Sequence, residues 1–182
     1  MSSTASQQTI DNLNAAFQGE SNASNRYQAF AKKADAEGYT YEARLFRAAS
    51  RAEAIHAQNH SKAIKALGGV LNDLKLDEVI PGTTAENLAA AVKGEKHEFE
   101  EMYPEFLVFA KQDDAKEAIR TMTYAMEVEM QHAALYQAAL DNLGRNADVP
   151  VYVCSVCGET LLELAEKCSV CGAASRAFEK IA

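Results

Sequence analysis

The chain has 182 residues, with 26 acidic and 18 basic side chains and a formal net charge of −8 at pH 7. Because a nucleic-acid backbone requires a basic face, no nucleic-acid partner is expected. The sequence shows no signal peptide, and no apolar run approaches the roughly 20 residues that span a bilayer, so we expect a soluble, cytoplasmic protein without membrane contact.

Apolar side chains spaced three and four residues apart predict one helix over about residues 7–37 and a second over about 41–67. Gly38 is suited to end the first helix, because glycine accepts the left-handed backbone found after helix C-termini. Residues 68–83 form a connection longer than the about 2–8 residues that usually link neighbouring helices. This connection is therefore predicted to cross over along a helical bundle.

Two further helices are predicted, which makes the first part of the chain all-α. A capping-box pattern at residues 83–86 opens the third helix. The expected inward stripe of this helix is Leu88, Ala91, Glu95, Glu98, Met102, Phe106 and Phe109. Pro104 falls inside the helix and is expected to kink it. Asp113 or Asp114 is expected to cap the fourth helix, which ends near Gly144.

The second half of the predicted bundle repeats the first. The matched residues, 75 or 76 positions apart, are Glu20 with Glu95, Tyr27 with Tyr103, Glu53 with Glu129, and His56 with His132. This pattern indicates one helix-pair unit used twice, around a pseudo-two-fold axis. Glu98 has no acidic counterpart, because Ala23 stands 75 residues before it.

Acids and imidazoles replace the expected apolar residues in the middle of each inward stripe. A buried, isolated carboxylate costs roughly several kcal/mol even after relaxation, so these acids require compensating cations. Glu and His three residues apart share one helix face, and two such pairs with further Glu residues are typical of di-iron bundles. Oxygen-rich ligation with one imidazole per ion favours iron or manganese. The predicted ligands are Glu20, Glu53, His56, Glu95, Glu98, Glu129 and His132.

Solvated helix faces are the alternative interpretation of these acids, which the apolar stripes and the internal repeat disfavour. Other ionic residues lie off the stripes and are predicted to face solvent: His97, Glu100, Glu101 and Glu127. His60 follows His56 by one turn. We interpret His60 as a core histidine or one that hydrogen-bonds a ligand.

All four cysteines lie near the C-terminus, in two Cys-x-x-Cys pairs that are each followed by glycine. They are Cys154, Cys157, Cys168 and Cys171. Such clustering without an export signal favours metal thiolates over disulfides. A tetrahedral site of this kind holds zinc or iron, and its position beside a redox bundle favours iron, with zinc as a substitute. We expect a bundle domain at 1–146 and a small metal-stabilised domain at 147–182.

Together these motifs resemble the rubrerythrin family over nearly the whole chain. The resemblance rests on the two Glu-x-x-His pairs, the Glu95-x-x-Glu98 pair, Tyr27, Tyr103 and the four-cysteine segment. It implies a ferritin-like four-helix bundle with a non-haem di-iron site, joined to a rubredoxin-like Fe(SCys)₄ domain. One departure is Glu159, which stands where the family usually has an aromatic residue and bears on the potential and partner surface of the small domain.

The resemblance also implies a role for each ligand. Glu53 and Glu129 bridge the two irons, Glu20 serves the first iron, and Glu95 and His132 serve the second. Glu98 and His56 exchange on the first iron, with Glu98 bound when it is oxidised and His56 when it is reduced. Tyr27 and Tyr103 match tyrosines that hydrogen-bond near the site. The reaction is expected to depend directly on Glu53, His56, Glu98 and Glu129.

The activity implied by the resemblance is reduction of hydrogen peroxide to water, in oxidative-stress defence. An external donor, such as rubredoxin or an NAD(P)H-dependent reductase, would supply electrons through the small domain. The fourth helix rises about 16 Å between His132 and Leu143, so we expect transfer between subunits of a head-to-tail homodimer. The alternatives are a ferroxidase that stores iron in a ferritin-like shell and a zinc-knuckle binding module. An attached electron donor disfavours the first, and the buried acids disfavour the second.

Overall fold

A computed structural model describes residues 5–146 and 148–182, and two long helices form the first half of its bundle. Helix α1 spans Gln7–Glu37 and helix α2 spans Thr40–Ala66. The side chain of Ser6 caps α1 by accepting a hydrogen bond from the backbone N–H of Thr9. Gly38 ends α1 with a φ of 86°, as predicted, and lets the chain turn directly into α2.

The crossover connection, predicted at residues 68–83, spans residues 67–83 in the structure and runs along α1. Polar side chains of α1 hold it in place. Three backbone N–H groups of the connection donate to α1 amides: Asn72 to Asn14 at 2.9 Å, Lys75 to Gln18 at 3.1 Å, and Asp77 to Asn22 at 2.9 Å. The three amides are four residues apart, so they lie along one face of the helix.

The third long helix is interrupted by a π-helical segment. Helix α3 spans Thr84–His97 and opens with the predicted capping box, the π segment spans Glu98–Met102, and helix α4 spans Tyr103–Gln112. The backbone N–H of Tyr103 donates to the carbonyl of Glu98, five residues earlier. Pro104 follows directly and can donate no backbone hydrogen bond, which accounts for a break in the α-helical pattern at this point.

The π segment overturns part of the predicted inward stripe. Its extra residue turns the rest of the helix, so the buried residues of α4 are Tyr103, Leu107 and Ala110. The predicted stripe residues one position earlier are only half-buried: Met102, Phe106 and Phe109. Glu98, at the start of the π segment, is also half-buried. The prediction of buried residues from a regular helical period is therefore wrong in this region, because the helix itself is not regular.

The fourth long helix, α5, spans Lys116–Asp141, and the prediction for its N-terminal cap was wrong. Ala115 occupies the capping position, without a side-chain hydrogen bond. The carboxylate of Asp113 instead accepts hydrogen bonds from the N–H and hydroxyl of Ser6 and from the hydroxyl of Thr9. Asp113 therefore ties the start of α1 to the α4–α5 turn, where Asp114 has a φ of 50°.

Two apolar clusters fill the bundle, one on either side of a polar middle layer. The first includes Tyr27, Phe30 and Phe46, and the second includes Leu13 and Ile64. On α1, Glu20 falls between Leu13 and Tyr27, and on α2 Glu53 falls between Phe46 and Ile64. The predicted acids therefore lie in a layer that apolar side chains close off from both ends.

The C-terminal domain contains a three-stranded antiparallel sheet, which the sequence analysis did not predict. Strand β1 is Val151–Cys154, β2 is Thr160–Leu161 and β3 is Phe178–Ile181, in the order β2-β1-β3. Val151 and Val153 of β1 join the apolar cluster around Tyr27, so the small domain packs against the bundle. The predicted domain boundary at residue 147 lies outside the described residues. None of the helices in the described ranges combines the length and the apolar character that a membrane span requires.

Candidate metal centres

The middle of the bundle holds two overlapping groups of buried acids and histidines. The first group is Glu20, Glu53, His56 and Glu129, and the second is Glu53, Glu95, Glu129 and His132. In each group, one ligand atom from every residue lies within 4.8 Å of the others. Because Glu53 and Glu129 belong to both groups, the six side chains form a single site with room for two ions. Six of the seven predicted ligands in the bundle therefore come together.

Unpaired polar atoms show that this site suits cations. Among the described residues, the buried atoms without a hydrogen-bond partner include Oε2 of Glu20, Oε1 of Glu53, both carboxylate oxygens of Glu129, and Nδ1 of His132. Each such atom costs about 1–3 kcal/mol when left unpaired, and more when charged. Two divalent cations would satisfy these atoms and would balance the charge of the four carboxylates in the two groups.

Proton affinities in the site also indicate a place for cations. Burial, together with the carboxylates of Glu129 and Glu20, raises the pKa of Glu53 to about 7. Burial opposes the charged form of His132, but the adjacent carboxylates of Glu129 and Glu53 raise the pKa of its imidazole to about 9. Without metal, the site therefore retains protons, and metal binding would release them.

Both histidines turn the same ring nitrogen towards the acids. Nδ1 of His56 lies 3.0 Å from Oε2 of Glu53 and 2.8 Å from Oε1 of Glu129. Nδ1 of His132 lies 2.9 Å from Oε2 of Glu129 and 3.5 Å from Oε1 of Glu53. The equivalent orientation of the two rings follows the internal repeat, and Nδ1 is the ring nitrogen that each could offer to a metal ion.

The outer ring nitrogens contact the small domain of the same chain. Nε2 of His56 lies 2.9 Å from the carbonyl oxygen of Cys157, and Nε2 of His132 lies 3.0 Å from the hydroxyl of Thr160. The Thr160 hydroxyl in turn donates to the carbonyl of Gly158. Metal-binding histidines commonly donate their second N–H to such groups, which fixes the ring and its tautomer.

Two buried tyrosines connect opposite halves of the site. The hydroxyl of Tyr27 donates to Oε1 of Glu95, and the hydroxyl of Tyr103 donates to Oε1 of Glu20. Tyr27 and Glu20 lie on the same helix, yet each pairs with the other half. Both tyrosines therefore hydrogen-bond an acid of the opposite half, and the crossed pairing agrees with a pseudo-two-fold axis.

Glu98 lies outside both groups of ligand atoms, although it was predicted as a ligand. Burial and the nearby charge of Glu20 raise its pKa well above the usual range. His60 is fully buried and is not a member of either group; it hydrogen-bonds Tyr103, which agrees with its interpretation as a non-ligand. The predicted solvent-facing residues His97, Glu100 and Glu101 are exposed, whereas Glu127 is half-buried.

The four cysteines form a second compact group, and none of them is in a disulfide. Sγ of Cys154 lies 3.7 Å from Sγ of Cys171, and Sγ of Cys157 lies 3.4 Å from Sγ of Cys168. A tetrahedron with metal–sulfur bonds of about 2.3 Å has edges of about 3.8 Å, so these separations fit one metal ion. The geometry of the four cysteines thus agrees with the predicted tetrahedral site, which would hold iron or zinc.

Glycine at position 158 permits the close contact between the two centres. A Cβ atom on Gly158 would lie 2.6 Å from Nε2 of His56 and 3.2 Å from Cβ of Ala52. The small domain therefore sits directly on α2, near the middle of its own bundle. The rise of α5 predicts that the small domain starts far from its own di-metal site, but Cys157 and Thr160 contact His56 and His132 of the same chain. Transfer between subunits is consequently not required, and the head-to-tail dimer remains a prediction.

Comparisons with known proteins agree with this geometry. Residues 11–140 match the family model described as rubrerythrin. The chain belongs to the rubrerythrin family. Rubrerythrin-2 of Clostridium acetobutylicum is 39% identical over 181 residues, covering 94% of this chain and 95% of that protein. Nigerythrin of Nitratidesulfovibrio vulgaris is 33% identical over 171 residues, covering 93% and 85%.

Solved structures extend the rubrerythrin likeness to both domains. A nigerythrin structure in its fully reduced, all-ferrous state superimposes with a TM-score of 0.88 at 31% identity, covering 98% of this chain and 89% of that one. The Mycobacterium tuberculosis bacterioferritin BfrA gives a TM-score of 0.69 at 22% identity, covering 76% and 87%. The bacterioferritin likeness shows a common ferritin-like fold and nothing further.

Sequence reasoning missed three residues that complete the rubrerythrin site. Thr160 hydrogen-bonds His132, Gly158 allows the contact with His56, and Thr121 hydrogen-bonds His60 at 3.1 Å. No spacing in the sequence singles out Thr160 or Gly158, because their role depends on how the small domain docks. Thr121 could have been suspected only once His60 was known to be buried and in need of partners.

Proposed function

We propose that this rubrerythrin reduces hydrogen peroxide to water at a di-iron site and is re-reduced through an Fe(SCys)₄ centre. One observation carries the proposal: a predicted ligand of each centre, His56 and Cys157, meets the other through a single hydrogen bond of 2.9 Å. A protein that only stores iron has no need of an attached one-electron centre in contact with a ligand of its oxidation site.

The side chains present fit this chemistry. Iron bound at both groups would supply the two electrons that one peroxide molecule requires, one from each ion. Glu53 and Glu129 would hold both ions, while Glu20 and His56 would complete the first position and Glu95 and His132 the second. The all-ferrous and mixed-valence states described for nigerythrin support iron as the metal.

The surroundings of the site would keep its ligands oriented and dry. Tyr27 and Tyr103 hold one oxygen of Glu95 and one of Glu20, which leaves the other oxygen of each free for a cation. Apolar clusters on either side exclude bulk water, and a low-dielectric site strengthens every charge interaction inside it. These side chains therefore act by holding the ligand set before substrate arrives.

Glu98 would contribute to the reaction by moving. It begins the π segment, where the helix has one residue more than a regular α-helix, and such segments are frequent at functional sites. We propose that Glu98 joins the first group when the site is oxidised and leaves it to His56 when the site is reduced. Its position outside both groups corresponds to the second arrangement.

Rapid mixing of the fully reduced, iron-loaded protein with peroxide and, separately, with oxygen tests the proposal. We expect oxidation by peroxide to be much faster than oxidation by oxygen. Metal analysis of protein from its native source is expected to find iron in both centres, and zinc alone would favour a binding module. A hollow shell in sedimentation, with rapid oxidation by oxygen, would instead support the ferroxidase alternative.

A further inference from the structure

His60 is a buried, titratable side chain for which the proposed reaction has no use so far. It is fully buried on α2, between the di-metal site and α5. Its Nε2 lies 3.0 Å from the hydroxyl of Tyr103, and its Nδ1 lies 3.1 Å from the hydroxyl of Thr121. Since Tyr103 donates to Glu20, the four side chains form an unbroken series of hydrogen bonds.

The outer end of this series reaches a cavity. Thr121 lines a cavity of about 410 Å³ together with Asn59, Lys62, Glu117 and Arg120. Lys62 and Arg120 are exposed, so the cavity opens to solvent. The series therefore links water at the surface to a predicted metal ligand in the core.

The hydrogen bonds all have the same direction. Tyr103 uses its one proton to donate to Glu20, so its oxygen must accept from Nε2 of His60. A neutral imidazole with its proton on Nε2 has a lone pair on Nδ1, which accepts from the Thr121 hydroxyl. Every donor thus points from the cavity towards Glu20.

The other half of the bundle has no equivalent route among the described residues. The 76-residue repeat places Tyr136 opposite His60 and Leu45 opposite Thr121, and both are fully buried. Tyr27, the counterpart of Tyr103, packs against the rings of Tyr136 and Phe46 at centroid distances of 5.7 and 6.1 Å. If the polar residues only satisfied a repeated structural need, both halves would be expected to carry them.

We propose that Thr121, His60 and Tyr103 form a proton relay from the cavity to Glu20. The inference rests on the proposed function, since reduction of one hydrogen peroxide to two water molecules consumes two electrons and two protons. In one transfer, Thr121 gains a proton from cavity water and gives one to Nδ1 of His60. Nε2 gives its proton to Tyr103, Tyr103 gives its own to Glu20, and Glu20 would pass that proton to a peroxide oxygen. Each relay group then has as many protons as at the start, but the His60 proton is on Nδ1 and returns to Nε2 by tautomerisation before the next transfer.

The direction of the relay is measurable without peroxide. In protein loaded with diamagnetic zinc, two-bond ¹H–¹⁵N NMR is expected to find His60 neutral, with its proton on Nε2 and none on Nδ1. A proton on Nδ1, or on both nitrogens, would overturn the relay because the hydrogen bonds would no longer point in one direction. A merely structural histidine has no such requirement.

Thr121→Val tests transfer itself, because valine keeps the shape of threonine and removes the hydroxyl. We expect single-turnover oxidation by peroxide to slow by about tenfold to a hundredfold, with a larger solvent deuterium isotope effect. Thr121→Ser retains a hydroxyl and is expected to restore the rate. Thr123→Val makes the same change at a half-buried position outside the relay, and we expect no effect.

The outcomes separate the relay from the proposed function. Equal rates for wild type and Thr121→Val, with normal metal content, would overturn the relay and leave peroxide reduction intact. If the wild type reacts no faster with peroxide than with oxygen, the proposed function fails. The same Thr121 variants are then compared with oxygen as oxidant, because its reduction also consumes protons, and unchanged rates there would again overturn the relay.

Discussion

The two halves of the bundle hold matching predicted ligands, but the side chains that contact those ligands from outside the site differ. Behind Glu20 lie Tyr103, His60 and Thr121, and then a cavity open to solvent. Behind Glu95 lie Tyr27 and Tyr136, packed among the apolar residues of the first cluster, which include Leu45, Phe30 and Phe46. One half is connected to water and the other is sealed.

The internal repeat therefore accounts for the matching ligands of the two halves, but it does not account for the different surroundings of those ligands. A repeated Glu-x-x-His pair is enough to place two ions, and a symmetric pair of ions needs nothing more. Chemistry that consumes protons and electrons requires access, and access is needed at only one end of the site. The departures from the repeat, at Glu98, His60 and Thr121, therefore identify the half at which the reaction would be supplied.

Loss of the small-domain metal is expected to have the largest effect on the rate of electron delivery. It should affect both halves of the di-metal site alike. Cys168→Ser removes one of the four cysteine ligands, so the proposed Fe(SCys)₄ centre should not form. We expect electron delivery from an external reductase to fall by at least about a hundredfold, while peroxide still oxidises chemically reduced protein at the normal rate. Steady-state and single-turnover kinetics measure the two steps separately. A normal steady-state rate would show that electrons bypass the small domain.

Gly158→Ala is expected to affect the His56 half specifically. The new methyl group would lie 2.6 Å from Nε2 of His56, so the hydrogen bond to Cys157 should break. We expect electron delivery to slow by about tenfold to a hundredfold. Gly172→Ala is the matched control, because its φ of 77° is similarly strained but its Cβ would meet only Lys167, at 3.5 Å. Equal effects of the two substitutions would point to backbone strain alone.

Glu98→Ala removes the acid that has no partner in the repeat. The site is expected to fold and to bind two ions, because four carboxylates remain in the two ligand groups. We expect peroxide oxidation to slow by about tenfold, since the first ion would lose the ligand that we propose for its oxidised state. Glu101→Ala, an exposed acid of the same π segment, serves as the control. Unchanged turnover in Glu98→Ala would argue against ligand exchange.

Leu45→Thr places the counterpart of Thr121 in the sealed half, and we expect the smallest effect on rate. The substitution removes buried methyl groups and leaves a hydroxyl without an obvious partner. It should lower the free energy of unfolding by about 2–4 kcal/mol, measured by urea denaturation. Peroxide oxidation should stay within about twofold of wild type. A larger change in rate would show that the sealed half also supplies protons.

The sequence was sufficient to predict the helices and most of the ligand set. Periodic apolar stripes with acids at their centre define α1, α2 and α5, and the repeat identifies six ligands that the structure brings together. The side chain of Asp113 was assigned to the wrong helix, because its partners Ser6 and Thr9 lie more than 100 residues away. Capping patterns describe local preference, whereas this aspartate is used by a tertiary contact.

Docking of the small domain was beyond prediction for a related reason. The rise of α5 predicts a long separation between the small domain and the di-metal site of the same chain. This prediction uses the geometry of one helix and takes no account of the chain that follows it. The contacts of Cys157 and Thr160 with the two histidines depend on that path. Their hydrogen-bonding partners come from a different domain, so no spacing within either domain indicates them.

The π segment Glu98–Met102 also determines which side chains of α4 face the bundle core. One additional residue corresponds to a rotation of about 100° around a helix axis. Helices α3 and α4 are therefore continuous, but the buried face of α4 is shifted by one residue from the face that a regular helix would bury. The orientation of α3 directs Glu95 towards the second ligand group, and the orientation of α4 directs Tyr103 towards Glu20. A regular helix could not serve both targets with these residues. Winding the segment as a regular α-helix of the same length would rotate Tyr103 away from Glu20, whereas deleting one of its residues would remove the extra residue and keep Tyr103 on the buried face.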